Sequence, residues 1–147
     1  MIRSHAVPKK KAKIGELLVQ EKLITPAQLD EAIHAHMIYG GRLGTNIIEL
    51  GYVSEEDLVE CLSRQMGIPP AKHAQLREIP ADVIAKLSPD DAKKYKSVPF
   101  KIDKHNPDVA MLDPLDLAIL DELSFKLGLQ LTPYLVSELM IYHLLEH

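Results

Sequence analysis

The spacing of apolar residues changes along the chain and separates a helical first half from a mixed second half. Over residues 13–66, apolar side chains share helical faces at three- and four-residue intervals. Short strand patterns follow at 98–102 and 108–112, and "LQLTPYL" alternates as a third strand. Helical patterns cover 114–127 and 136–145. We predict an α+β fold, in which a helical subdomain precedes a small α/β subdomain with about three short strands.

The helical half repeats itself with a period of 29 residues, because residues 13–37 align with residues 42–66. The identical pairs are Gly15 and Gly44, Leu29 and Leu58, Glu31 and Glu60, and Met37 and Met66. A fixed period indicates a duplicated supersecondary unit, here a helix, a short break and a second helix. We place the duplicated subdomain at 13–70, after a basic arm at 1–12 and before the α/β subdomain at 71–147.

Each copy of the repeat also carries the signals of a helix start. Thr25 is a good N-cap, Pro26 suits the first helical position, and Gln28 can complete a capping box. In the second copy Ser54 takes the N-cap position, and the acidic residues 55–57 add negative charge where the helix dipole favours it. The second helix of each copy is therefore predicted to begin at the same point of the repeat.

Composition limits the classes of function. The chain is 46% apolar and 26% charged, an ordinary globular balance, and it lacks an apolar run of about 18 residues, so we predict no membrane insertion. The net charge of −4 disfavours nucleic acid as a partner, and the lysines of the arm are predicted to be solvated. The single cysteine, Cys61, excludes an internal disulfide and favours a reducing cytoplasm. Its place on an apolar helix face predicts burial rather than a nucleophilic role.

The most distinctive polar feature is the corner formed by Arg42 and Gly44, together with Gln65. Arginine can form paired hydrogen bonds with guanine O6 and N7 or with phosphate. A glycine beside it permits close backbone approach, and glutamine offers a donor and an acceptor to a purine edge. A purely structural explanation is also open, because Gly44 and Gly51 can serve chain geometry and Gln65 can cap the edge of the core. Two such corners would suit a ligand with two equivalent halves.

The same residues carry a family resemblance. The stretch "RLGTNIIELGYVSEEDLVECLSRQMGIP" closely resembles the second motif of the MshEN domain, the cyclic di-GMP-binding N-terminal domain of type IV pilus and type II secretion ATPases. The positions that match the motif are Arg42, Leu43, Gly44, Gly51, Leu58, Leu62 and Gln65. The later stretch "VPFKIDKHNPDVAMLDPLDLAILDELSFKLGLQLTPYLVSE" is similar to the small α/β subdomain of the same ATPases. Together the two stretches and the first copy cover roughly residues 13–145.

The resemblance implies that one cyclic di-GMP lies across the two copies, with each copy contacting one half of the ligand. The implied ligand contacts are Lys13, Ile14, Gly15, Leu29, Ile33, His36, Arg42, Leu43, Gly44, Leu58, Leu62, Gln65 and Asp113. Arg42 and Lys13 would face guanine or phosphate, and Gln65 and His36 would address base edges. The apolar side chains would contact the bases, and the glycines would allow close approach. For Asp113 a local explanation competes, because it can also cap a helix that begins at Pro114.

The first copy departs from the family pattern at three positions. Lys13 stands where arginine is expected, Lys22 where glycine is expected and His36 where glutamine is expected. Lysine keeps the charge but loses the planar fork of arginine. A neutral histidine has one donor and one acceptor, fewer than glutamine, and its charge depends on pH. We therefore predict that the chain holds one half of the ligand more firmly than the other.

These observations favour a non-enzymatic cytoplasmic sensor without a cofactor, either the regulatory domain of a secretion or pilus ATPase or a stand-alone relative. It would pass the state of its cyclic di-GMP site to the ATPase core or to partner proteins. No Ser–His–Asp grouping is evident, and the sequence lacks the G-x-x-x-x-G-K-[ST] loop of an ATPase. His143 and His147 have a zinc-like spacing without a third ligand, so no metal is predicted. The alternative is a protein-docking module that links such an ATPase to an inner-membrane platform protein without binding nucleotide, and the departures of the first copy favour it.

Overall fold

The computed structural model describes residues 14–102, 106–128 and 130–146. The chain divides into two compact units, with the boundary between Gln65 and Met66. The helices of the first unit are α1 (Ile14–Gln20), α2 (Pro26–Tyr39), α3 (Leu43–Glu49) and α4 (Glu55–Met66), the last of which ends at the boundary. The second unit contains α5 (His73–Arg77), α6 (Ala81–Ile84), α7 (Pro89–Tyr95), β1 (Ser97–Ile102), β2 (Pro107–Met111), α8 (Leu117–Leu127), β3 (Thr132–Leu135) and α9 (Glu138–Leu145). The predicted α+β fold with three short strands is confirmed.

The predicted starts of α2 and α4 are confirmed. The N–H of Gln28 donates to Thr25 Oγ1 at 3.1 Å, and the N–H of Thr25 donates to Gln28 Oε1 at 2.9 Å, so the capping box is complete. In the second copy the N–H of Asp57 donates to Ser54 Oγ at 3.1 Å. Each cap satisfies a backbone donor that the first turn of a helix leaves without a partner.

The first helix of each copy, α1 or α3, also ends in the same turn. In both turns one residue donates its N–H to the carbonyl three positions earlier, and the next residue donates to the carbonyl five positions earlier. The first of these donors is Lys22 in one copy and Gly51 in the other, and both have a left-handed backbone, with φ of 61° and 81°. Glycine adopts this conformation without strain, whereas lysine does not. The duplication therefore preserves the turn even where the sequence has lost its glycine.

The core of the first unit repeats with the same period. Its buried side chains form the pairs Leu18 and Ile47, Ile24 and Val53, and Ala32 and Cys61, joined by Leu58. Cys61 is only 1% exposed, which confirms its predicted burial, and that burial raises the pKa of its thiol. A protonated, enclosed thiol is a packing group rather than a nucleophile. Neither copy could bury these side chains alone, so the copies share one core.

Two polar contacts tie each copy to the other. The hydroxyl of Tyr52, in the turn after α3, donates to Glu31 Oε2 on α2 at 2.6 Å, and this carboxylate raises the pKa of the phenol. Reciprocally, Arg64 on α4 forms an ion pair with Glu21, in the turn after α1. Each turn therefore contacts the second helix of the opposite copy. Both contacts are at the surface, where such pairs contribute little stability, and they orient the copies rather than hold them together.

The second unit is built on a three-stranded sheet in the order β1-β2-β3. Strand β2 pairs antiparallel with β1 and parallel with β3, and a bulge interrupts β1 between Pro99 and Lys101. Along β2 the side chains alternate between two apolar clusters: Val109 and Met111 join one, and Ala110 joins the other. Because successive side chains of a strand point to opposite faces, the sheet separates two parts of the core. Helix α8 makes the crossover that parallel pairing requires.

The sheet is extended at its β3 edge by the chain just beyond the unit boundary. Leu135 donates its N–H to the Pro69 carbonyl at 2.9 Å and accepts from the N–H of Ala71 at 2.9 Å. Pro70 forms the corresponding isolated parallel bridge. Within the described residues, every helix is too short or too polar to cross a membrane.

The predicted start of α8 is wrong by three residues. Its N-cap is Asp116, whose Oδ1 accepts from the N–H groups of Ala118 at 3.1 Å and Ile119 at 3.3 Å. Asp113 instead opens a turn with Pro114 at its second position, closed by the N–H of Asp116 donating to the Asp113 carbonyl at 3.2 Å. Aspartate followed by proline suits the first two positions of such a turn as well as it suits a helix start. The predicted helix cap at Asp113 is therefore wrong, and its place at the start of this turn is the local explanation instead.

Candidate functional site

The residues of the second-copy corner lie at the entrance to α3 and near the end of α4. Arg42 precedes α3 with an extended backbone, φ −86° and ψ 140°, and its side chain is exposed. Leu43 and Gly44 form the first turn of that helix. Gln65 is half-buried, one residue before α4 ends. This arrangement leaves the guanidinium accessible while the residues beside it belong to a packed helix.

The glycines of the two copies explain how the helices approach each other. A Cβ atom at Gly15 would lie 2.4 Å from Cδ1 of Leu29, and one at Gly44 would lie 3.1 Å from Cδ2 of Leu58. Both distances are shorter than ordinary carbon contacts. Each glycine therefore admits the leucine that begins the apolar face of the following helix. This structural role accounts for the repeated glycine, and close approach by a ligand stays a prediction.

The predicted apolar contacts differ in how far they are exposed. Ile14, Leu29, Leu43 and Leu62 are half-buried side chains at the edge of the first-unit core. Such positions present an accessible apolar surface, which a planar base could cover. Ile33 is more exposed, at 38%, whereas Leu58 is only 4% exposed and offers little surface to a ligand. Leu58 instead packs beside Gly44.

Of the two polar residues predicted as ligand contacts in the first copy, only one lies in the described part of the chain. Lys13 lies outside the described residues. His36 is exposed on α2, and its Nδ1 lies 3.4 Å from Nδ2 of Asn46 on α3. Asn46 Nδ2 also donates to the carbonyl of Gly40 at 3.2 Å. This network was not predicted, although one signal was available: at the equivalent position of the first copy the sequence has Leu17, so Asn46 is a polar replacement at a helix position that is otherwise apolar.

Asp113 belongs to the second unit, where it is half-buried in the turn between β2 and α8. It stays a predicted ligand contact. Within residues 14–102, 106–128 and 130–146, no three His, Cys, Asp or Glu side chains are grouped closely enough to hold a metal ion. His143 is exposed on α9, and His147, its predicted partner in spacing, lies outside the described residues.

Comparison with known proteins identifies the family. The model of the MshEN domain matches residues 66–147. The type IV pilus assembly ATPase PilB of Myxococcus xanthus (strain DK1622) is 32% identical over 134 residues, which cover 91% of this chain and 24% of that protein. The chain belongs to the MshEN domain family. It spans about a quarter of the length of that curated relative.

Solved structures of the family share the fold of this MshEN domain. A structure of MshE with cdg, an abbreviation of cyclic di-GMP, has a TM-score of 0.69 and 26% identity, and the match covers 92% of this chain and 97% of that one. The N-terminal domain of XpsE has a TM-score of 0.64 and 25% identity, covering 90% and 91% of the two chains. The two matches cover 92% and 90% of this chain, so they extend over both compact units.

Proposed function

We propose that this MshEN domain binds one cyclic di-GMP across its two helical copies and thereby regulates an ATPase of a type IV pilus or type II secretion system. One observation carries the proposal: the two copies repeat the same helix caps, the same turns and the same glycine–leucine contacts at a spacing of 29 residues. A ligand made of two identical nucleotide halves suits a surface made of two equivalent halves. The relative MshE, solved with cdg, supports the same choice of ligand.

Each copy would contribute the same kinds of contact. In the second copy the exposed guanidinium of Arg42 would meet guanine or phosphate, Leu43 and Leu62 would cover the base, and Gln65 would address its polar edge. Lys13, Ile14, Leu29, Ile33 and His36 would act in the same way in the first copy. Asp113 would accept hydrogen bonds from guanine N1 and N2. The guanidinium fork pairs with two acceptors at once, so the second copy would make the stronger contact.

The proposed partner in regulation is the ATPase core of the machine to which such a domain is attached. The relative from M. xanthus is a type IV pilus assembly ATPase of which this chain spans 24%, so the remaining chain of a similar protein would receive the signal. The single buried thiol of Cys61 supports our placement of the domain in a reducing cytoplasm. The domain itself would carry no catalytic group.

Isothermal titration of the chain with cyclic di-GMP tests the proposal, with GTP as the control ligand. We expect saturable one-to-one binding that is absent with GTP. Arg42→Ala should weaken the affinity at least about tenfold, because a charge-assisted paired contact is lost. Arg77→Ala, at an exposed arginine of the second unit, is the matched control and should bind like the parent. Equal affinities of the Arg42→Ala and Arg77→Ala variants would show that the corner is not the ligand contact.

A protein-docking function is the second candidate, and one observation favours it. The last residues of α2 are three consecutive large apolar side chains, Met37, Ile38 and Tyr39, exposed by 77%, 67% and 82%. Clustered exposed apolar side chains are typical of protein-binding surfaces. The proposed partner is the cytoplasmic part of an inner-membrane platform protein. Substitution of all three by serine should abolish capture of that purified partner while leaving nucleotide binding unchanged, and unchanged capture would exclude this surface.

A further inference from the structure

A buried amide connects the two copies at a point that the family motif does not include. Asn46 lies in the middle of α3 and is only 9% exposed. A buried polar group without partners is costly, and Asn46 meets this requirement with two neighbours from the first copy and the following loop. Its Nδ2 donates to the Gly40 carbonyl at 3.2 Å and lies 3.4 Å from Nδ1 of His36.

These two contacts fix the orientation of the amide. A carbonyl oxygen can only accept, so the Asn46 atom facing Gly40 must be the NH₂ group and not the oxygen. The same NH₂ group faces His36, and its second hydrogen is directed to the imidazole. Nδ1 of His36 must then present a lone pair, because two N–H groups facing each other would repel. A neutral imidazole with a lone pair on Nδ1 carries its hydrogen on Nε2.

We infer that Asn46 is a positioning residue that holds His36 in the Nε2–H tautomer, so that the first copy offers a hydrogen-bond donor to an acceptor atom of the ligand. The inference rests on the proposed function and deepens it. Gln65, at the equivalent position of the second copy, can satisfy either polarity through its own amide. A neutral His36 has one donor nitrogen and one acceptor nitrogen, and Asn46 determines which of the two the ligand meets. Histidine at the family's glutamine position therefore acts together with a second residue, Asn46, which fixes its tautomer.

The first test uses the chain without ligand. Long-range ¹H–¹⁵N correlation spectra at pH 8.5 distinguish the two neutral tautomers of an imidazole, and His36→Gln identifies the signal. We expect a single Nε2–H form in the parent. Asn46→Asp replaces the donor by an acceptor and should shift His36 to the Nδ1–H form. An Nδ1–H form in the parent, or a mixture of both forms, would overturn the inference even if the Asn46→Asp variant does not fold, which its thermal unfolding curve would show.

The second test is a double-mutant cycle on affinity for cyclic di-GMP. Asn46→Leu, which introduces the residue found in the first copy, should weaken binding about fivefold more in the His36 background than in the His36→Gln background, as expected for one lost hydrogen bond. A merely structural role would give equal losses in both backgrounds and would overturn the inference. If the parent chain binds no cyclic di-GMP, the proposed function fails, and the tautomer measurement still decides whether Asn46 positions His36.

Discussion

The two helical copies of the first unit match in the apolar character of their shared core and differ in polar side chains at the predicted site. In the core, Leu18 is matched by Ile47 and Ala32 by Cys61, all buried. At the surface, His36 stands where the second copy has Gln65. Because the copies share one core, a change of volume in either is felt by both. A surface position is less constrained by packing, so under the proposed function this difference would make the two halves of the site unequal.

Substitutions in the shared core are expected to have the largest effect on the free energy of unfolding, and they test whether both copies contribute equally to it. Leu18→Ala and Ile47→Ala should each lower the free energy of unfolding by about 2–5 kcal/mol, and by similar amounts, because both side chains are fully buried. Urea denaturation followed by far-UV circular dichroism measures the change. Leu50→Ala, at a 41% exposed position of the same unit, is the matched control and should cost far less. A loss no larger than that of Leu50→Ala for either core variant would contradict the shared core.

Restoring the family residues in the first copy should raise its affinity for cyclic di-GMP toward that of the second copy's contacts. The double variant Lys13→Arg with His36→Gln is expected to bind cyclic di-GMP about tenfold more tightly, or about 1.4 kcal/mol, because it regains a planar fork and an amide. Titration calorimetry measures the gain. Lys22→Gly, which changes only a turn, should leave the affinity unaltered. An unchanged affinity of the double variant would mean that the first copy does not contact the nucleotide.

Substitutions at the two glycines are expected to distinguish the copies by a smaller difference in the free energy of unfolding. Gly15→Ala should lower the free energy of unfolding by about 1 kcal/mol, since the cost of overpacking against Leu29 exceeds the gain in helix propensity. Gly44→Ala should be nearly neutral, because its Cβ would meet Leu58 at 3.1 Å rather than 2.4 Å. Thermal unfolding measures both. Gly15→Ala in a Leu29→Ala background has room for the new methyl group, and an undiminished cost there would contradict this explanation.

The smallest expected effect concerns the left-handed turn. Lys22→Gly should raise the free energy of unfolding by about 0.5–1 kcal/mol, because φ of 61° strains a lysine and not a glycine. Lys86→Gly provides a control at an exposed lysine whose backbone φ is not positive, and should not stabilise the chain. Denaturation in urea compares the two variants with the parent. A loss of stability in Lys22→Gly would show that the lysine side chain contributes more than its backbone costs.

Features of the fold with local causes were predictable from the sequence. The capping residues Thr25 and Ser54 and the alternating strands depend on neighbours within a few positions, and the repeat is visible by aligning the sequence with itself. The position of α8 was not predictable, because Asp113 and Asp116 carry the same local signal and only the packing around Pro114 decides between them. The contact of Gly15 with Leu29 was also beyond sequence patterns, since it depends on how two helices cross.

The candidate site likewise contains residues that the sequence predicts and one that only the fold reveals. The corner at Arg42 is visible as a motif because its residue types suit a ligand independently of the fold. Asn46 belongs to no motif, and its proposed role rests on the loop carbonyl and the imidazole that the fold brings to it. Such a residue is found from a sequence only by comparing the copies position by position and asking why a polar side chain replaces an apolar one.

The prolines along the sheet have a consequence for self-association. An exposed strand edge offers a row of N–H and C=O groups to which another chain can add, the first step toward fibrils. At the β3 edge that row is already occupied by Pro69 and Ala71. At the opposite edge, Pro99 removes one N–H from β1 and the adjacent bulge disturbs the register. Sheet extension is thus discouraged at both edges, and the domain can be crowded against other copies without templating their misfolding.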